Sequence, residues 1–226
     1  MTDSPAAEIT ASLATAADAE LESDFGLSFV AINALIMQRY MFEYGWRHAD
    51  FADFSVNAHA NGSHNPCARF QKAISRQAFL DAPMVSDPIN LMDASPIGDG
   101  AAALILTSQP IKRPFPQVFV AGSSSCTDTI SVQTRKNSTF LTAAANSAKL
   151  AYAQAGIGPK DIGVFEYHDA FSIMAALSLE ACGFAEPGQG PRLALDGKIK
   201  CDSDIPVATK GGLKARGHPV GATGIY

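Results

Sequence analysis

Apolar residues recur every three to four positions in two long stretches of the chain, and this spacing predicts amphipathic helices. The first stretch is FGLSFVAINALIMQRYMFEYG, which ends at Gly45, a natural helix stop. Its apolar face carries Phe29, Ile32, Ile36, Tyr40 and Tyr44. Aromatic and methionine stripes of this kind belong to a core far more often than to a cofactor site. The second stretch, which closes on Gly156, has Leu141, Ala145, Ala148, Tyr152 and Ala155 on one face.

Shorter apolar runs predict buried strands between the helices. The three runs are Ala101 to Leu106, VFVAG at 118–122 and IGVFEY at 162–167. The proline-rich segment QPIKRPFPQ at 109–117 separates the first run from the second and predicts a boundary between two halves. By contrast, residues 57–74 are rich in Asn, Gly, Ser and Pro, which predicts a loop. The alternation of strand and helix patterns indicates an α/β protein.

Composition narrows the class of protein. The chain has 226 residues, of which 47% are hydrophobic and 17% charged, enough for one large domain or two smaller ones. A formal charge of −5 argues against a nucleic-acid binder. The first residues, MTDSPAAEIT, lack the basic and apolar regions of a signal peptide, and no run of about 18 apolar residues is present. A cytoplasmic protein is therefore expected.

The possible ligands of a metal or of a disulfide framework are scattered. Four cysteines, Cys67, Cys126, Cys182 and Cys201, form no CxxC pair, which predicts neither a zinc site nor disulfides and fits a reducing compartment. His59 and His64 are five residues apart with no carboxylate or third histidine at useful spacing, so we interpret them as hydrogen-bonded or solvent-facing loop residues and predict no metal.

Two histidines stand where chemistry is expected. His168 and Asp169 lie between the third predicted strand and a helix that runs to Cys182, with Asp169 as N-cap and Gly183 just past the end. Open α/β sheets place ligand crevices there, and a helix N-terminus favours an anion or an oxyanion. An ordinary capping-region role for His168 is an equally good explanation from position alone.

The second histidine, His218, lies in GGLKARGHPVGATG at 211–224, where Pro219 suits the first position of a new helix. A histidine in so glycine-rich a loop suits a general base or a neutral donor to an oxyanion. Lys210, Lys214 and Arg216 stand beside it, either as a solvated basic face or as contacts to a phosphorylated ligand.

Four blocks of the sequence together resemble the thiolase superfamily. They are GGLKARGHPVGATG, EYHDAFSIMAALSLEACGFAEPGQG, DASPIGDGAAALIL and GLSFVAINALIMQRYMFEYG, and the HDAF form is similar to the sterol carrier protein x and archaeal acetyl-CoA acetyltransferase branches. The resemblance implies an α/β, thiolase-like layered αβαβα fold, here incomplete, in a family that usually forms dimers. It divides the chain into 1–108, the end of the first half with a loop domain at about 25–83, and 109–226, a truncated second half.

The same resemblance implies an acyl-CoA acyltransferase that acts by thiolysis or Claisen condensation. His218 matches the histidine that takes the proton of a cysteine thiol, and His168 matches the second oxyanion donor. Ser95, which matches a pantetheine contact, Gly217 and Asp169 are the expected substrate or CoA contacts. No cofactor is implied beyond the CoA thioester as substrate, and the expected partners are a second copy when the protein is full length and a small OB-fold protein.

Departures from the family pattern qualify this expectation. The pattern places the nucleophilic cysteine upstream of Met1 and a CxG cysteine beyond Tyr226, so we expect the chain to be cut at both ends and inactive alone. VATKGGL replaces VNxSGGL, so that Ala208 and Lys210 stand where the pattern has an asparagine and a serine. A non-catalytic scaffold subunit, or a retro-aldolase acting on CoA thioesters with a small OB-fold partner, is the alternative.

Overall fold

The computed structural model of the protein describes residues 4–109 and 114–226. Within these residues there are seven α-helices and one antiparallel pair of short strands. The helices are α1 (Ala6–Ala14), α2 (Phe29–Tyr44), α3 (Ala52–Gly62), α4 (Arg76–Leu80), α5 (Thr142–Ala155), α6 (Ser172–Ala181) and α7 (Gly190–Leu195). The strands are β1 (Met84–Ser86) and β2 (Ile89–Asn90).

Both predicted amphipathic helices are confirmed. In α2 the Ser28 side chain accepts a hydrogen bond from the Ala31 N–H at 3.2 Å, and Gly45 ends the helix with φ of 73°. Its inner face includes Ile32, Ile36 and Tyr40. α5 ends at Gly156, also left-handed, but none of its residues is fully buried.

The prediction of a loop over residues 57–74 is wrong for its first part, because α3 runs to Gly62. The polar residues there bond to another segment instead of forming turns. The Asn57 side chain donates to the Val207 carbonyl at 3.2 Å, and the Asn61 side chain donates to both the Val207 and Ala208 carbonyls. Tertiary bonds therefore override the local turn preference of asparagine.

The core lies around α6, which packs against α2, α3, α5 and α7. Its buried apolar residues include Ile173, Leu177 and Leu179. A polar contact also crosses this core: the Tyr40 hydroxyl donates to Glu180 Oε1 at 2.5 Å, and the Gly190 N–H donates to the same oxygen at 2.7 Å. The Tyr40–Glu180 contact thus ties α2 to α6 and α7.

Tyr40→Phe is expected to lower the free energy of unfolding by about 1 to 3 kcal/mol, because it removes a donor from a buried carboxyl group. Urea denaturation measures the change. Tyr44→Phe is the matched control: it lies one turn further along α2, and its hydroxyl has no hydrogen bond within the described chain. Equal losses in the two variants would contradict a specific role for the Tyr40–Glu180 contact.

The three predicted strands do not form a sheet in the described residues. Residues 101–106 and 118–122 belong to no helix or strand, and Ile105 and Val118 are 90% and 84% exposed, so the predicted burial is wrong. Residues 162–167 contribute one parallel bridge, Phe165 to Val207. A strand is stable only beside a partner, and residues 101–106 and 118–122 have no strand partner among the described residues.

The predicted linker is described only in part, since residues 110–113 lie outside the described residues. The division of the chain at 108 and 109 stays a prediction. No helix in the described ranges is long and apolar enough to cross a membrane.

Candidate active site

His168 and His218 lie side by side, although fifty residues separate them in sequence. Their ring centroids are 4.8 Å apart and the rings meet edge to face at 81°. His168 is exposed, whereas His218 is half-buried. The expectation that the two rings lie close together is confirmed, and their roles at a site stay a prediction.

Residues 93–98 form a strip between the two histidine segments. The Ser95 N–H donates to the Ala170 carbonyl at 2.8 Å, and the His218 N–H donates to the Pro96 carbonyl at 3.0 Å. Ser95 also lines an apolar cavity of about 340 Å³ together with Phe70. Backbone bonds of this strip therefore fix the distance between the two segments.

Asp169 does not cap a helix, and that prediction is wrong. Helix α6 begins only at Ser172, with Phe171 at the N-cap, and the Ser172 N–H donates to the Asp93 carbonyl at 3.1 Å. The Asp93 carbonyl of the strip therefore accepts the first N–H of this helix. Asp169 is instead 1% exposed and accepts a hydrogen bond from the Leu213 N–H at 2.7 Å.

The glycines of the 211–224 loop allow this contact. Gly212 has φ of 52°, and a Cβ atom on it would lie 2.4 Å from Asp169 Oδ2. Gly217, directly before His218, is buried with φ of 110°. Both positions therefore require glycine, one for space as well as conformation. A π-helical turn, Gly212–Arg216, lies between them, and the predicted helix after Pro219 is a 3₁₀ segment, Val220–Gly224.

The departure from the family pattern at Ala208 falls on a special backbone position. Ala208 is buried and has φ of 50°, a conformation that asparagine adopts more readily than alanine. Its carbonyl nevertheless accepts bonds from the Asn61 side chain and from the Gly211 N–H. These bonds hold the start of the glycine loop in place without an asparagine.

Both site histidines favour the neutral form. Burial and the neighbouring His168 and Arg216 lower the pKa of His218 to about 4. His168 is exposed on one side, but protein packs against the rest of its ring, and this partial burial lowers its pKa as well. His218 Nδ1 lies 2.9 Å from Thr223 Oγ1. If Nδ1 donates to this hydroxyl, Nε2 is a base; if it accepts, Nε2–H is a donor.

Acid is expected to destabilise the protein through His218. Its pKa is about 4 in the folded chain against a usual 6.5, so the unfolded chain binds the proton more tightly, and stability present above pH 6.5 is lost as the pH falls toward 4. His59 and His168 act in the same direction. Between pH 7 and 4.5, we expect wild type to lose about 1 to 3 kcal/mol more than His218→Gln, allowing for partial exposure. Urea denaturation at several pH values measures this difference, and parallel stability curves would contradict it.

The basic residues of the loop do not share a solvated face. Lys214 is 1% exposed, and its Nζ donates to the Asp93 carbonyl. The Arg216 guanidinium stacks on the Tyr226 ring at 5.1 Å, whereas Lys210 is exposed. The interpretation of the cluster as a solvated face is therefore wrong for Lys214.

The thiols carry no sign of activation. Burial raises the pKa of Cys182 to about 11, and it also raises the pKa of Cys201, whose Sγ lies 3.2 Å from Asn61 Oδ1. Within residues 4–109 and 114–226, no hydrogen bond joins a thiol to His168 or His218.

His59 and His64, five residues apart in sequence, have different surroundings. His59 is buried in α3 and stacks on Phe70 at 5.8 Å, so its interpretation as a loop residue is wrong, whereas His64 is exposed. The described part of the chain contains no group of three metal-ligating side chains.

Three residues at the site were not identified from the sequence: Asp93, Thr223 and, as a buried group, Lys214. Thr223 had a weak signal, since it follows His218 within the same glycine-rich block. No signal in the sequence indicated the burial of Asp93 and Lys214, because a charge is buried by segments that are distant along the chain.

Comparison with known proteins finds a matching family model and similar sequences. Residues 124–226 match the family described as Thiolase C-terminal domain-like. The chain is 42% identical over 218 residues to an acetyl-CoA acetyltransferase of Methanothermobacter thermautotrophicus, which is 96% of this chain and 57% of that protein. It is 31% identical over 211 residues to the benzoylsuccinyl-CoA thiolase subunit BbsB of Thauera aromatica, covering 91% of this chain and 54% of that protein. The chain thus spans little more than half the length of these relatives.

Among solved structures, the one described as Ltp2-ChsH2(DUF35) aldolase superposes with a TM-score of 0.80 at 23% identity, over 100% of this chain and 59% of that chain. With the family match, this confirms a thiolase-like α/β fold that is incomplete in the described residues. The family match and the identities to curated relatives agree on one assignment. Residues 124–226 thus belong to the Thiolase C-terminal domain-like family, and nearly the whole chain is similar to part of the length of known thiolases.

Proposed function

We propose that the protein is a thiolase-type acyl-CoA acyltransferase, with His168 and His218 at its active site. The observation that carries the proposal is the edge-to-face pair of neutral imidazoles, 4.8 Å apart, beside a strip that includes Ser95. Two rings this close can both donate to one thioester oxygen, His168 as a neutral ring and His218 once it has taken a proton, and so stabilise the negative charge that develops there. The name of the Methanothermobacter relative supports an acetyl-CoA thioester as substrate.

In this proposal the two histidines have different catalytic roles. His218 takes the proton of an attacking thiol at Nε2, and the resulting imidazolium then donates to the thioester oxygen. His168 donates to the same oxygen, so that charge on the enolate leaving group is shared between two rings. Three further residues support the site. Ser95 contacts the pantetheine arm, and Gly217 lets the substrate approach the backbone closely. Asp169 holds the glycine loop by accepting the Leu213 N–H.

NMR titration of the chain with acetoacetyl-CoA tests the proposed site. We expect the ring signals of His168 and His218 to shift in a saturable way, because the carbonyl oxygen binds between them. Free CoA lacks that carbonyl and is expected to leave His168 unchanged. Ring signals that respond to neither ligand would contradict the proposal.

The chain by itself is expected to be inert in thiolysis, since none of its thiols bonds to either histidine in the described residues. Incubation with acetoacetyl-CoA and CoA should give no acetyl-CoA above a control without protein. Mass spectrometry should find no acetyl group on Cys67, Cys126, Cys182 or Cys201. An adduct that disappears in His218→Ala would instead identify that cysteine as the nucleophile.

A second candidate is a retro-aldolase, favoured by the similarity to a structure described as an aldolase with a DUF35 partner. In that reaction a base removes the proton of a β-hydroxyl, the Cα–Cβ bond breaks to give a ketone or aldehyde, and the electron pair remains on the thioester enolate, which is then protonated. The two histidines could serve as base and oxyanion donor without a thiolate. Release of a carbonyl compound from a β-hydroxyacyl-CoA, with the thiolysis assay silent, would favour this function.

A further inference from the structure

Three ionisable side chains are buried together behind the site histidines. Asp93 is 0% exposed, and Asp169 and Lys214 are each 1% exposed. Charges in a protein interior are tolerated only when they are compensated by opposite charge and hydrogen bonds. Their burial therefore requires an explanation that the histidine pair alone does not give.

Lys214 is the positive member of this group. Its Nζ donates to the Asp93 carbonyl, and its charge interacts with the carboxylates of both Asp93 and Asp169. Asp93 Oδ1 and Asp169 Oδ2 are buried without a hydrogen-bond partner in the described chain. The ammonium group forms no direct ion pair with either carboxylate in the described chain. It opposes their negative charge from a longer distance, while burial lowers the pKa of Lys214 itself. In agreement, burial raises the pKa of Asp169 while Lys214 opposes that rise.

Each member of the group belongs to a different segment of the site. Asp93 begins the strip, where its carbonyl also accepts the Ser172 N–H and its Oδ2 lies 2.6 Å from His48 Nε2. Asp169 directly follows His168 and accepts the Leu213 N–H. Lys214 lies in the π-helical turn, four residues before His218. The three charges therefore join the strip to both histidine segments.

We propose that Lys214 is a positioning residue, whose buried ammonium group between Asp93 and Asp169 holds the segments of His168 and His218 at the separation that the site requires. The inference rests on the proposed function for the role of the histidines. In this role Lys214 acts through its neighbours and not through a contact with the substrate. Its effect passes through Asp169 to His168 on one side and through its own turn to His218 on the other.

Three variants of the full chain test this: Lys214→Met, Asp169→Asn and the double variant Lys214→Met/Asp169→Asn. The readout is the NMR cross-peak (nuclear Overhauser effect) between the ring protons of His168 and His218, which depends on their separation and not on turnover. Lys214→Met leaves the buried Asp169 carboxylate without its neighbouring positive charge, and Asp169→Asn leaves Lys214 with Asp93 as its remaining counter-charge, so we expect each single variant to weaken or lose the cross-peak. The double variant removes both charges, keeps an acceptor for the Leu213 N–H, and is expected to regain it.

Lys210→Met is the matched control, because Lys210 is exposed and lies in the same loop. It should keep the wild-type cross-peak. A single variant that stays folded and keeps the cross-peak would overturn the proposal, as would a double variant no better than the single ones. If the single variants fail to fold, the double variant still decides: a folded chain with the cross-peak supports the proposal, and an unfolded one contradicts it.

The cross-peak tests the role of Lys214, and the titration with acetoacetyl-CoA tests the proposed function, so the two proposals can be refuted independently. Loss of the cross-peak in Lys214→Met together with no response to acetoacetyl-CoA in wild type would leave the positioning role intact and refute the acyltransferase. The reverse pattern would refute only the role of Lys214.

Discussion

His218→Ala is expected to reduce kcat/KM for thiolysis about 10³-fold in a chimera that carries residues 1–226 within the flanking segments of the Methanothermobacter acetyl-CoA acetyltransferase. The chain spans 57% of that relative, so the relative supplies the remaining segments. Loss of a general base typically costs 10² to 10⁴ in rate, and His218 is also the half-buried member of the oxyanion pair. Cleavage of acetoacetyl-CoA in the presence of CoA, followed by thioester absorbance, measures the effect.

His168→Ala in the same chimera should cost about 10²-fold, the usual loss when one oxyanion donor is removed. His64→Ala is the control, because His64 is exposed and does not contact the histidine pair. A chimera that retains its rate with alanine at 218 would exclude His218 as the base. Equal and small losses in all three variants would refute the proposed site altogether.

Gly212→Ala is expected to destabilise the chain by about 3 kcal/mol or more and to eliminate the response of both histidines to acetoacetyl-CoA. A Cβ atom at this position would lie 2.4 Å from Asp169 Oδ2 and 2.8 Å from Oδ1, while φ of 52° is already unfavourable for alanine. Asp169 is 1% exposed and is held by its hydrogen bond from the Leu213 N–H, so it cannot easily move away from the added methyl group. Urea denaturation and the NMR titration measure the two effects.

Gly221→Ala provides the comparison within the same loop. A Cβ atom there meets nothing within 4 Å, and its φ lies outside the left-handed region, so stability should change by less than about 0.5 kcal/mol. Should Gly212→Ala prove as mild as Gly221→Ala, the contact between the glycine loop and Asp169 would not be what holds the loop.

Local sequence determined the elements whose signals lie within one turn or one motif. The 3.6-residue spacing of Ile32, Ile36 and Tyr40, together with Ser28 and Gly45 at its ends, is sufficient to specify α2, because periodicity and caps act over a few residues. The GHP and HDAF blocks likewise pointed to His218 and His168 as neighbours, through resemblance to a family rather than through spacing.

Strand prediction shows where local sequence was insufficient. Residues 101–106 have the composition of a buried strand, yet Ile105 is 90% exposed in the described chain. Composition gives a segment the tendency to be extended, but the ladder that makes it a strand depends on a neighbour elsewhere in the fold. The asparagines of α3 show the converse, since only the distant carbonyls of Val207 and Ala208 make a helix the better choice for a polar segment.

The charges behind the histidines were decided by tertiary structure alone. In the sequence, Lys214 is one of three basic residues in a glycine-rich loop, and Asp169 is a suitable N-cap. In the folded chain, the strip that begins at Asp93 lies between them. The Asp93 carbonyl accepts the N–H at the start of α6, and Asp169 faces Gly212. The sequence by itself determined which residues carry the chemistry. Only the tertiary structure decided which charges are buried, because desolvation is set by what packs around a group and not by its neighbours along the chain.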